Sequence, residues 1–506
     1  MLVSPDQHSR ASDVRGASDI TVDGNLHMTE TTAAPPKAKG DVIVDPAEPG
    51  TSPILIKGPL SRRYLTWYTI VTLSITAVWG ATSILLANQV QMLEFGQWFT
   101  GADAGVDLQQ LTLLQQQIAA GSATATPEQS RQLDLLAGFD AARAQSLSVI
   151  ASLGVILTML LQPLVGVASD RTRTRLGRRA PWILFGTLAG AVFLVGVRYA
   201  PSIAVLAIIW MTAQAVLNTA SGPLAATVAD RMPENRRGTA SALGGFGNFF
   251  GGVLGGVGAG LLFATLGLDM YFVLAALVAF AGTMFVIFAR DASSKDLAVE
   301  KLHWKPFLLG FTVALRTRNF RWVWVARILL TFGYAVSTAL SLYMMQSYIR
   351  PALSAAEATQ MAGLLALVGV PFMIIAVLVA GRLSDKLQKR RSFVIFSSGL
   401  MALSMLIPIL SPTLPALFIQ AIIGGIAFGA YLPVDQALFI DVLPDQRAAG
   451  RDLGVAALGS NLGQALGPAL AGAVVALTGA YLGVWIAAFV LVLLAAVAVL
   501  PLKGVK

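Results

Sequence analysis

Cysteine is absent from the 506-residue chain, which excludes disulfides, thiolate chemistry and cysteine-ligated metals. Charge is scarce as well. Only 12% of residues are Asp, Glu, Lys or Arg against 55% apolar, and with a mean hydropathy of +0.69 the soluble globular class is excluded. The 3 histidines, His8, His27 and His303, all lie outside the apolar runs. Phosphate loop, nucleophile elbow and metal-ligand cluster are missing, so the chain is expected to be no enzyme and to need no cofactor or metal. No secretory signal is expected, because the tail begins without a basic region and the first apolar stretch is a full span.

What the chain has is about twelve apolar segments of roughly 20 residues, each enough to cross a hydrocarbon core of about 30 Å. They fall near 65–92, 145–168, 181–199, 202–228, 239–264, 268–289, 321–348, 359–382, 392–410, 413–441, 453–477 and 480–501. The reading is an all-α integral membrane protein. Lys and Arg gather in the loops after segments two, four, six, eight and ten. That bias places those loops and both termini in the cytoplasm, at the plasma membrane. The net charge of +9 then reflects topology and attraction to membrane lipid, and no nucleic-acid motif accompanies it.

The segments divide into two halves of six, 57–290 and 321–506, joined by a cytoplasmic linker, 291–320, that contains Trp304-Lys305-Pro306. Residues 1–56, rich in Asp, Ser, Thr, Pro, Gly and Ala, read as a disordered cytoplasmic tail. Two repeated phrases carry the duplication. Gly166-Val-Ala-Ser-Asp170-Arg171 with Arg178 and Arg179 returns as Gly381-Arg-Leu-Ser-Asp385-Lys386 with Arg390 and Arg391. Asp230-Arg-Met-Pro233-Glu-Asn-Arg236 returns as Asp441-Val-Leu-Pro444-Asp-Gln-Arg447. Two matches in nearly the same register make coincidence an inadequate account. Gly247, Gly251 and Gly255 likewise match Gly459, Gly463 and Gly467, a small-residue stripe that suits close helix packing in lipid. The loop 94–144 has no counterpart. It carries an amphipathic stretch, Val106 to Ala119, and a second one opened by Thr126-Pro127-Glu128-Gln129, and reads as a helical hairpin outside the membrane.

Sorting every charge by depth leaves two well inside segments, Arg327 and Asp435. Both lie about seven residues, or roughly 10 Å, from the inner ends of their helices, so they can pair. An isolated charge near mid-membrane costs at least about 2.5–3.5 kcal/mol, so such residues face a cavity or one another. A fixed structural ion pair is the plain alternative. Arg327 opens a polar stripe at helical spacing, Thr331, Tyr334, Ser337 and Ser341, and Gln436 stands beside Asp435. Gln214, Asn218 and Ser221 repeat the pattern in the fourth segment, while Asn88 and Gln89 sit near the outer end of the first. Hydroxyls that only bond their own backbone are the competing account of the stripes. Amides, hydroxyls and rings around a cavity suit a polyhydroxylated small-molecule solute.

Twelve spans, a six-plus-six repeat and a glycine-aspartate-arginine phrase between spans two and three and again between eight and nine resemble the major facilitator superfamily. In detail, Ser169-Asp170-Arg171 through Gly177-Arg178-Arg179 to Pro181-Trp182 is similar to the sucrose and glycoside-proton symporter branch. So is Asn218 through Gly222-Pro223 to Asp230. Ala225 departs from it, standing where plant sucrose symporters place an arginine.

The resemblance implies two pseudo-symmetric six-helix bundles that alternate around a central cavity bordered by spans one, four, seven and ten. It implies that the repeated phrases, with Asp230, Arg236, Asp441 and Arg447, latch the inner face. Asp435 is the carboxylate that a proton would use, with the protein working as a monomer. Proton-coupled efflux of amphipathic compounds, favoured by Met344, Met345 and Trp210, is the alternative within transport, and a membrane sensor or scaffold the alternative outside it.

Overall fold

A computed structural model describes residues 42–43, 55–56, 58–295, 313–443 and 449–502. Most of the tail, Trp304 through Pro306 of the linker, and Arg447 fall outside the described residues. Within the tail, Val42–Ile43 pairs antiparallel with Leu55–Ile56. All else that is regular is helical. The helices are α1 (Gly58–Trp98), α2 (Leu108–Ala119), α3 (Pro127–Arg171), α4 (Ala180–Arg198), α5 (Ile203–Arg231), α6 (Glu234–Leu266) and α7 (Met270–Phe288) in the first half. The second half has α8 (Arg318–Ala339), α9 (Ser341–Ser347), α10 (Ala355–Leu387), α11 (Arg390–Leu410), α12 (Leu414–Asp441), α13 (Ala449–Thr478) and α14 (Leu482–Ala498).

Among the described residues, ten stretches are long and apolar enough to cross a membrane. One of these, Glu234–Phe288, is two helices joined by the 3-10 turn Gly267–Asp269, and the 17-residue α14 completes twelve spans. All but α2 and α9 are spans. In lipid the backbone must satisfy its own hydrogen bonds, which is why helices carry every crossing. Large apolar side chains such as Val192, Phe396 and Leu410 stay on the periphery, where hydrocarbon rather than water is the solvent.

The duplication reappears as packing. In the first half α6 lies against α1 through Gly247, Gly251 and Gly255; a Cβ at Gly251 would run into Leu73 O and one at Gly255 into Ala77 O. In the second half α13 lies against α8 through Gly459, Gly463 and Gly467, with Ile328 O in the way of a Cβ at Gly463. Backbone meets backbone at both seams, the contact that small residues permit where apolar burial yields little.

Two sequence boundaries change. The second stretch of the 94–144 loop is no separate helix: it is the start of α3, a 45-residue helix that runs on into the membrane. Thr126 and Gln129 form the expected capping box at its start, and nothing downstream breaks the turn there. The hairpin is therefore α2 folded against the overhanging ends of α1 and α3, around Phe99, Leu111, Leu136 and Phe139. Conversely, segment 321–348 is two helices, α8 and α9, divided at Leu340 (φ −117, ψ 24). Just before the break the Ser337 and Thr338 hydroxyls both bond Tyr334 O, the kind of side-chain competition that bends helices.

Candidate functional site: a buried ion pair and two bridges

Arg327 projects from α8 and Asp435 from α12, and tertiary packing brings them together. Arg327 Nε donates to Asp435 Oδ2 at 2.6 Å, and a second guanidinium nitrogen engages the same oxygen. The guanidinium also reaches Gln436 Oε1 at 3.3 Å and stands 4.0 Å above the centre of the Phe439 ring. Arg327 is 8% exposed and Asp435 3%, so the pair is withdrawn from solvent, while Gln436 is exposed. Burying both charges is tolerable because each is the other's partner and the ring face adds a cation–π contact.

The pair forms one wall of a cavity of about 270 Å³, completed by Thr331, Phe428, Tyr431, Leu432, Gln436, Ala457, Ser460 and Asn461. Tyr334 stacks on Phe428 with ring centres 4.6 Å apart. Thr331 borders the cavity, although its hydroxyl donates to its own helix at Arg327 O, 2.8 Å. Sequence reasoning named Arg327, Thr331, Tyr334, Asp435 and Gln436. It missed Tyr431, one turn before Asp435 on the same helix, and Ser460 and Asn461, which sit inside the α13 glycine stripe and were absorbed by the packing account.

The first-half candidates stand elsewhere. Gln214 presses its amide oxygen against Gly154 of α3, and Asn218 donates to Gln214 O at 2.8 Å. Gln89 donates to Val197 O at 2.6 Å, and Asn88 bonds Thr359 of α10 across the two halves at 3.0 Å. Met344, Met345 and Trp210, the side chains that would furnish a wide amphipathic cavity, are buried in packing.

The repeated phrases converge in space. In the first half Arg178 holds Asp230 through Nε at 3.1 Å and Nη2 at 2.5 Å. Arg179 reaches Asp230 at 3.0 Å and also pairs with Asp170, and its Nη1 donates to Ser169 at 2.5 Å. In the second half Arg390 pairs with Asp441 and, at 3.5 Å, with Asp385. The two phrases found separately in the sequence are thus the two sides of one bridge, built once per half. Arg391 donates to Leu500 O at 2.6 Å and Arg236 to Ser61 at 3.3 Å. Arg171 ends α3, and Lys386 is exposed. Gly166 and Gly381 are not points of close helix packing. A Cβ at Gly166 would stand in open space, and one at Gly381 would meet Pro433 at an ordinary 3.7 Å.

At the face carrying the basic loops Gly238 of α6 and Gly454 of α13 are likewise uncrowded. On the opposite, hairpin face the halves are tight. Gly260 of α6 meets the backbone of Gly363 in α10, and Gly472 of α13 meets Ser148 and Ala144 O of α3. Tyr343 of α9 donates to Ala87 O at 2.7 Å, and Gln116 of α2 to Ile349 O at 2.9 Å. Among the described residues, the halves meet closely at the hairpin face and not at these four glycines of the basic one.

A sequence profile described as MFS/sugar transport protein matches residues 139–502. The chain belongs to this family of major facilitator superfamily transporters. It is 45% identical over 58 residues, 12% of its length, to an uncharacterised symporter of Synechocystis sp.; the alignment spans about a tenth of that relative. Among solved structures it resembles the nucleoside transporter NupG (TM-score 0.63, 13% identity, 87% of this chain and 100% of that one). It also resembles a D-xylose-proton symporter (TM-score 0.59, 14% identity, 87% and 98%) and a bacterial homologue of the lysosomal transporter Spinster in an inward-facing state (TM-score 0.59, 13% identity, 88% and 97%). At such identities these structures speak for the fold. This is a multi-pass transporter of twelve spanning helices and no enzyme.

Proposed function

We propose that this transporter carries a sugar or comparable polar solute into the cell together with a proton, as a monomer in the plasma membrane. The observation that carries the reading is Asp435, a carboxylate buried against Arg327 in the wall of a cavity. Amides, hydroxyls and rings beside it offer donors, acceptors and stacking faces, the chemistry a polyhydroxylated solute needs. A carboxylate whose partner can be withdrawn has two stable forms, paired and ionised or unpaired and protonated. Exchange between them loads and releases a proton. The likenesses to a D-xylose-proton symporter and to a symporter of Synechocystis support the same reading.

With the basic loops in the cytoplasm, the described state is open to the cell interior, and the bridges at Asp230 and Asp441 belong to the inner gate. The test is the purified protein in liposomes under an imposed pH gradient, with a panel of labelled sugars and nucleosides. Alkalinisation outside on adding one sugar, and its concentrative uptake, are expected; uptake indifferent to the gradient would overturn proton coupling, and uptake of none of the panel would overturn the solute class.

A further inference from the structure

Arg143 was hidden in the sequence by its assignment to an outer loop, yet it is 2% exposed and lies on the seam between the halves. Its Nη1 donates to Gln91 of its own half at 2.9 Å and to Gln346 of α9 at 2.8 Å. Its Nη2 donates to Ser347 of α9 at 2.7 Å and pairs with Asp140 at 2.7 Å, and Ser347 in turn donates to Asp140 at 3.3 Å. The guanidinium lies between two rings, 4.9 Å from Phe139 of its own half and 4.6 Å from Tyr343 of α9. The short α9, set apart from α8 at Leu340, thus presents three side chains, Tyr343, Gln346 and Ser347, to one arginine. Above it α2 makes its own crossing: Gln109 donates to Ala352 O at 3.1 Å and to Glu357 at 3.3 Å, and Gln116 to Ile349 O.

We propose that Arg143, with α2 above it, is a latch on α9 that holds the hairpin face shut and must release for the transporter to open on that side. A polar latch suits a seam that has to part repeatedly. When two apolar surfaces separate, water does not replace what they lose, whereas a guanidinium, a carboxylate and amides are taken up by water as they part. Arg143 brings Asp140 with it on its own helix, so the charge stays balanced whether α9 is docked or away. The proposal rests on alternation between two open states and on neither the solute nor the proton.

The absence of cysteine makes the test direct, since spin labels can be placed in the full chain without background. One labelled pair, Leu176→Cys with Leu387→Cys, reads the basic face; a second, Asp134→Cys with Leu477→Cys, reads the hairpin face, all four being exposed positions. In liposomes Arg143→Gln should raise the ratio of hairpin-face-open to hairpin-face-closed protein roughly tenfold, the scale of one or two lost hydrogen bonds. Gln109→Ala with Gln116→Ala, which leaves the buried cluster intact, should shift it the same way by less. Gln109→Cys and Glu357→Cys joined by a reducible bis-maleimide linker, which spans the two long side chains that meet at 3.3 Å, should leave only the closed population until the linker is cleaved. Distributions equal to the parent's in the first two variants, or a cross-linked protein that still opens, would overturn the latch. Should Arg143→Gln fail to fold, the α2 variant and the cross-link decide. The readout uses no solute and no pH gradient, so its failure and that of the symport reading are separate outcomes.

Discussion

Arg327 and Asp435, 108 residues apart in the chain, meet at 2.6 Å with the guanidinium over the Phe439 ring. Each is the other's counter-charge and both are buried, so removing one should cost far more than removing both. Replacing Arg327 by Ala should destabilise the protein by about 3–5 kcal/mol, the usual result of leaving a buried charge unpaired. The Arg327→Ala/Asp435→Ala double variant should lose much less than the sum of the singles. Thermal unfolding in detergent of the four members of the cycle measures this, and additive losses would mean that the pair is not coupled.

Asp435→Asn removes the carboxylate proposed to carry the proton while keeping its size and its capacity to accept from Arg327. Under the proposed symport, pH-driven accumulation in liposomes should fall to the level of equilibration, while exchange of labelled for unlabelled solute persists within about an order of magnitude. Accumulation undiminished in this variant would exclude Asp435 as the carrier.

The two bridges of the basic face are alike in chemistry and unlike in setting. Asp230 is 17% exposed at its side chain and holds two arginines, whereas the Asp441 side chain is 39% exposed and holds one. Asp230→Ala should therefore cost about 1–3 kcal/mol and Asp441→Ala well under 1 kcal/mol, because exposed pairs contribute little. Unfolding midpoints compared at equal protein-to-detergent ratios check the ranking.

The glycine stripes can be separated from the gate glycines. Gly251→Leu and Gly463→Leu place a side chain where Leu73 O and Ile328 O already stand, and overpacking of that kind costs at least about 1–3 kcal/mol. Gly166→Ala meets open space and should leave stability unchanged or slightly raised. Yield of monodisperse protein and its melting temperature distinguish the three variants.

At the hairpin face, Thr126→Ala removes the cap of α3 and one side of its reciprocal bond with Gln129. A loss of about 0.5–2 kcal/mol should appear as local fraying. Hydrogen exchange at residues 129–131 should quicken several-fold, while exchange deeper in α3 stays as in the parent.

Much of this was legible in the sequence. Span number, the six-plus-six division and the repeated basic phrases follow from properties each stretch has alone: about 20 apolar residues cross a bilayer whatever surrounds them. The cap at Thr126 is equally local, since an oxygen three residues from a free amide satisfies it without help from the rest of the fold. Arg327 and Asp435 stood out because a charge inside an apolar run has few places to go.

Arg143 was missed for the reverse reason. Next to a polar loop an arginine is unremarkable, although Leu136, Phe139, Leu147 and Ile150 set it on an apolar helical stripe that could have marked it. Nor could sequence separate Tyr431, Ser460 and Asn461, which border the cavity, from Gln89, whose amide is spent on Val197 O. Depth and periodicity describe one helix at a time. Which faces meet, that Arg178 and Arg390 each bridge to the end of another helix, and that the hairpin face is the closed one depend on how the two bundles lie together. The chain by itself determined a duplicated twelve-span transporter, because hydrophobic length and loop charge act locally; only the tertiary structure decided which polar groups share a site, because a hydrogen bond a few ångströms long exists only once both of its partners have been brought there.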